Sequence, residues 1–109
     1  MGERSEAAAW YLYVVRTVDR YLYTGVTTDV ARRYREHLAQ GRRTARFLRT
    51  HKPGRLVFSE LIGGRSLALR VEYRFKRLPR QAKERAIRAG CLCSGEVSGR
   101  INTPSESVS

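Results

Sequence analysis

Apolar positions along the chain change period three times, and each change marks an element. From Trp10 to Val15 aromatic and β-branched residues crowd together, the composition that strands favour. Apolar side chains occupy both parities there, which predicts a strand covered on both faces. Asp19-Arg20 supplies a turn tip, and Tyr21 to Val26 reads as the return strand of a hairpin. Gly25 stands late in that strand, where a missing side chain lets another group approach closely.

The period then becomes helical. Thr28 or Asp29 can cap a helix that Gly41 ends, and Val30, Ala31, Tyr34 and Leu38 fall on one stripe. Thr44 to Thr50 can form a short helix, which Pro53-Gly54 terminates. Leu56 to Ile62 reads as a third strand, and Gly63-Gly64 as a loop. Ser66 can cap a further helix with a buried stripe of Leu67, Ala68, Val71, Phe75 and Leu78. Pro79 breaks it, and Arg80 to Ala89 is a last helix closed by Gly90. The expected architecture is a single small α/β (α+β) domain. It has a short three-stranded antiparallel sheet flanked by helices, in the order β-β-α-(α)-β-α-α. The domain is placed at residues 10–90, between a disordered stretch 1–9 and a flexible, Gly- and Ser-rich tail 91–109.

Composition narrows the function. At 109 residues the chain suits one domain able to fold without staples. Twenty-two Lys and Arg against ten Asp and Glu leave a formal charge of +12, a field that attracts polyanions. Arg far outnumbers Lys, and its planar fork is the better phosphate ligand. Arg42, Arg43, Arg46, Arg49 and Lys52 lie in an acid-free segment suited to gripping backbone phosphates, and Arg70 and Arg74 add charge to the later helix. The longest apolar run, Ala7 to Val15, is far short of the ~20 residues a spanning helix needs. Glu3 and Glu6 spoil any secretory leader, so the expected setting is cytoplasmic, with nucleic acid as partner and no membrane. Cys91 and Cys93 are too close together to staple a core and too few for zinc, and they read as free thiols.

Familiar catalytic motifs are absent: there is no Gly-rich phosphate loop, zinc-binding helix or nucleophile elbow. Polar groups beside the apolar stripes remain. With Val30 at zero, Arg33 and His37 fall at about 300° and 340°, on the margin of the stripe. They read either as a solvated arginine and an edge histidine, or as a cation and its partner facing a phosphate. Glu72 falls at about 140° on the later helix, just outside its stripe. It is the only acid between Glu60 and Glu84 and stands among cations. It reads either as an i,i+4 pair with Lys76 or as a metal ligand. The strand tyrosines Tyr11, Tyr13, Tyr21 and Tyr23 suit either core packing or the handling of an attacking water.

Taken together these residues resemble the GIY-YIG nuclease family. Its pattern has two short tyrosine motifs on a hairpin, then a helix with Arg and His, then a later helix with Glu. Trp10-Tyr11-Leu12 stands where the first motif would be, with Tyr11 at its tyrosine, and Tyr23-Thr24-Gly25 matches the second. The stretch from Thr27 to His37 aligns Arg33 and His37, and Leu67 to Tyr73 aligns Glu72. Ala9 and Trp10 replace the glycine and isoleucine of the first motif. Val26 stands where some relatives carry a lysine, and the asparagine often found after the glutamate has no counterpart. The resemblance implies hydrolysis of phosphodiester bonds with one Mg²⁺ or Mn²⁺ on Glu72. It gives water activation to Tyr23 or Tyr11, charge stabilisation to Arg33 and a supporting role to His37. It also implies DNA before RNA as substrate, work in repair or recombination, and a protein partner for targeting. The competing expectation is a non-catalytic nucleic-acid-binding module on the same fold.

Overall fold

A computed structural model describes residues 8–92. The expectations for residues 1–7 and 93–109 lie outside the described residues. Strand β1 (Trp10–Thr17) is the centre of an antiparallel sheet of order β2-β1-β3, flanked by β2 (Leu22–Thr27) and β3 (Pro53–Gly63). Helix α1 (Val30–Ala39) and the short α2 (Arg46–Thr50) come between β2 and β3, and α3 (Arg65–Lys76) and α4 (Arg80–Ala89) follow. The result is the α+β class and element order that the hydrophobic pattern predicts. Among the described residues, no helix is long and apolar enough to cross a membrane.

Because strand side chains alternate between faces, β1 serves two layers. Leu12 and Val14 point to one side, where they meet Phe58, Val71 and Phe75 in the main apolar cluster; Ile87 of α4 packs against it. Tyr13 and Val15, equally buried, point to the other side, toward α1 and α2. The hairpin register pairs Tyr13 with Gly25 and Val15 with Tyr23, so these residues share that second face. Arg20 turns the tip at φ 71°, and Thr17 Oγ1 accepts from the Tyr21 amide at 2.8 Å.

Several boundaries differ from the sequence expectation. Pro53 and Gly54 do not end an element but begin β3, which is 11 residues long. β3 is an edge strand, where a missing N–H costs nothing on the open side. A Cβ on Gly54 would lie 2.8 Å from the Arg16 carbonyl oxygen, so the strand start needs glycine for close approach. Helix α1 is capped by Asp29, whose side chain accepts from the Arg32 amide at 3.0 Å. It closes on Gln40, at φ 57°, rather than on Gly41. Gln40 tolerates that left-handed conformation because its amide donates to the carbonyls of His37 and Leu48. Helix α2 starts at Arg46, two residues later than expected. Helix α3 has Gly64, not Ser66, at its cap position.

Two ties complete the frame. Arg16 of β1 donates to both carboxylate oxygens of Glu84 at 2.9 Å, and Arg80 adds a third bond at 3.0 Å. Beyond α4 the Leu92 amide donates to Glu60 at 2.7 Å, and its side chain packs on the core. Cys91 is disulfide-bonded rather than the free thiol expected, and Cys93 lies outside the described residues.

Candidate active site

The sequence places the apolar stripe of α1 on Val30, Ala31, Tyr34 and Leu38, and the structure turns it. Leu38 is 48% exposed, whereas His37 is fully buried. The inward face is Val30, Arg33, Tyr34 and His37, a rotation of about 60° from the hydrophobic stripe. Specific polar bonds outweigh the hydrophobicity of one leucine. Tyr34 donates to the Gly54 carbonyl at 2.9 Å, and His37 Nε2 meets the Tyr13 hydroxyl at 2.9 Å. Among the described residues, no buried side-chain nitrogen or oxygen lacks a partner, which makes this burial of polar groups affordable.

The tautomer of His37 follows from its neighbours. Burial, reinforced by the charge of Arg33, pushes its pKa down to about 4, so the ring is neutral near pH 7. The Ala45 amide donates to Nδ1 at 3.4 Å, which leaves the single ring proton on Nε2. His37 therefore donates to the Tyr13 oxygen. Burial, with Tyr23 adding to it, raises the Tyr13 pKa far above its ordinary value despite the opposing effect of Arg33. Tyr13 is thus a fixed, protonated phenol. Tyr23 sits against both, its ring centroid 6.2 Å from that of Tyr13 and 5.5 Å from that of His37, and it is only half-buried. The close fit depends on Gly25, where an added Cβ would lie 2.6 Å from the Tyr13 hydroxyl oxygen.

One terminal nitrogen of Arg33 donates to Glu36 at 2.9 Å and to the Arg43 carbonyl at 2.7 Å, and its guanidinium also faces the Tyr13 hydroxyl. A guanidinium has five donors, so these bonds leave capacity for a phosphate. Arg33 lines an open groove of about 550 Å³ with Trp10, Thr27, Arg32, Glu36 and Arg43. Glu36 is the one acid there, and bonding to Arg33 holds its carboxyl below the usual range.

Of the residues singled out from sequence, Tyr23, Arg33 and His37 come together. Tyr11 lies on the same face one pleat away, opposite Thr27, and makes no side-chain hydrogen bond among the described residues. Glu72 stands on α3, across the sheet. Its carboxylate meets Lys76 at 3.2 Å, with side-chain exposures of 18% and 52%. Arg42, Arg43, Arg46, Arg49 and Lys52 are exposed on the α1–α2 side, and Arg70 and Arg74 are exposed on α3. Arg49 also donates to the Gly41 carbonyl. The sequence reading named Tyr13 among four strand tyrosines but matched Tyr11 to the first motif, although pairing across a tip at Asp19 sets Tyr13 opposite Gly25.

Among the described residues, no group of three or more His, Cys, Asp or Glu could form a metal cage. One carboxylate remains a sufficient protein ligand for Mg²⁺, which commonly completes its shell with substrate phosphate and water. Glu72 fits that requirement. It is partly desolvated, and a largely exposed lysine that an ion can displace is its partner.

The GIY-YIG catalytic domain family matches residues 9–85. The chain is 54% identical over 81 residues to a UPF0213 protein of Citrobacter koseri, covering 74% of this chain and 79% of that protein. It is 46% identical over 95 residues to the UPF0213 protein YhbQ of Escherichia coli O127:H6, covering 87% and 92%. The solution NMR structure of the UPF0213 protein BH0048 from Bacillus halodurans aligns at 32% identity and TM-score 0.48, covering 88% of this chain and 99% of that one.

Proposed function

Starting from a chain that belongs to the GIY-YIG catalytic domain family, we propose that this protein is a divalent-metal-dependent endonuclease that hydrolyses phosphodiester bonds, in DNA before RNA. The observation that carries the proposal is the buried Tyr13–His37 hydrogen bond, with the Tyr23 ring packed beside it and Arg33 lining a cationic groove.

The parts then take distinct roles. Tyr13 assumes the place that the sequence alone gives to Tyr11. It is a positioning residue, because its buried phenol keeps its proton and fixes Tyr23 and His37. Tyr23, the more open phenol, orients the attacking water and takes its proton after losing its own to solvent. Arg33 binds a non-bridging phosphate oxygen and stabilises the charge that grows on it. Glu72 would hold one Mg²⁺ or Mn²⁺, which when bound supplies charge neutralisation at the phosphate. Arg42, Arg43, Arg46, Arg49 and Lys52 on one side, and Arg70 and Arg74 on the other, hold the strand by its backbone. A role in repair or recombination, with a protein that brings the substrate, is consistent with a domain this small.

The test is cleavage of labelled single-stranded, duplex and branched DNA by wild type and Glu72→Ala, with Mg²⁺, Mn²⁺ or EDTA. Metal-dependent cutting is expected from wild type only, with binding retained by the variant. Salt-sensitive binding without cutting under any ion would replace the enzyme with a non-catalytic binding module.

A further inference from the structure

The site does not end at Tyr23. A file of aromatic rings leaves it and runs to the surface at the hairpin tip. Tyr23 stacks on Phe47 of α2, with ring centroids 6.2 Å apart and planes at 20°. Phe47 lies 4.5 Å from His51, and His51 lies 4.3 Å from Tyr21. At the outer end the rings are open to water, with Tyr21 48% and Phe47 38% exposed. Exposed aromatics clustered together mark a binding surface more often than scattered apolar residues do.

The surroundings say what the rings would meet. Arg46 and Arg49 flank Phe47 in the same short helix, and Lys52 follows His51. The one nearby acid, Asp19, is already engaged, accepting from Thr17 Oγ1 and bonded to His51 Nδ1, both at 2.7 Å. A row of rings between cations is the arrangement that grips a nucleic acid strand by its phosphates and stacks its bases. Within a duplex both faces of each base are covered by neighbours, so away from the two ends an exposed ring can stack only on a base that has left the helix.

We infer that Tyr21, His51 and Phe47 form a stacking platform for unpaired nucleobases next to the scissile phosphate, so that the substrate carries single-stranded nucleotides on this side of the cut. This rests on the nuclease reading above and narrows its substrate to strands, flaps or junctions rather than intact duplex.

The full chain in EDTA, with fluorescence anisotropy on single-stranded oligothymidylate and a blunt duplex of equal length, tests this. Replacing both Tyr21 and Phe47 with Leu is expected to weaken single-strand binding on the order of tenfold. Duplex binding and the salt slope should stay as in wild type. Tyr21→Phe, which keeps the ring, should bind single strands like wild type and controls for folding. An equal loss on both DNA forms, or no loss on either, would overturn the platform and leave the nuclease reading intact. Wild type that binds neither form would sink both.

Discussion

At the scale of single residues the site is organised by what each side chain excludes. Gly25 matters for the volume it lacks. An added methyl would press on the Tyr13 hydroxyl and ring, and Tyr13 is 1% exposed and has nowhere to move. Gly25→Ala should cost about 1–3 kcal/mol, as overpacking in a tight interior does, and should lower cleavage by disturbing the Tyr13–His37 bond. Gly41→Ala is the control, since nothing lies within 4 Å of its added carbon. Thermal denaturation and cleavage rates of the pair check this, and equal stability of the two variants would contradict it. Sequence made part of this candidate set legible, because Tyr23, Arg33 and His37 carry distinctive chemistry at fixed spacing and come together in the fold. Tyr13 was less legible, since a tyrosine in an apolar strand reads as packing until the hairpin register sets it against Gly25. The choice among tyrosines depended on pairing across the chain, which local pattern does not encode.

At the scale of elements, the polar ties fix geometry that hydrophobic periodicity leaves loose. The pattern found every element, yet it set the inward face of α1 wrongly. Leu38 weighs more on a hydrophobic scale than His37, whereas buried hydrogen bonds decide the rotation. The Arg16–Glu84 pair similarly docks α4 on β1. Its hydrogen bonds, first from Arg16 and then from Arg80, hold the Glu84 pKa down to about 2. A carboxylate depressed in the folded state contributes its stability above the unfolded pKa of about 4.5 and loses it as pH falls toward 2. Glu84→Gln should therefore be less stable than wild type at pH 7, with the gap closing between about pH 4.5 and 2. Urea titrations across that range measure the gap. A constant difference would mean that the pair contributes nothing through charge.

At the scale of the molecule, the net charge of +12 acts as one field, and the α1–α2 segment concentrates it where the groove opens. Arg42 and Arg46 are both exposed. Replacing both with Gln should weaken binding to single-stranded and duplex DNA alike, and flatten the plot of log affinity against log salt by about two. Titrations between low and moderate salt give the slope, and an unchanged slope would remove these side chains from the interface. The sequence conveyed this scale well, since charge is additive and needs no fold. It was silent on where Glu72 lies, because the side of the sheet that a helix covers is a property of the whole chain.

The alternation along β1 has a consequence for how the protein can vary. Leu12 and Val14 belong to the apolar cluster, and Tyr13 between them belongs to the proposed active site. One strand thus carries two interleaved sets of constraints that scarcely touch. A laboratory library at Leu12 and Val14 explores robustness, and one at Tyr13 and Tyr23 explores reactivity. Lineages could drift at the first set to suit a new temperature while the second stayed fixed for the task.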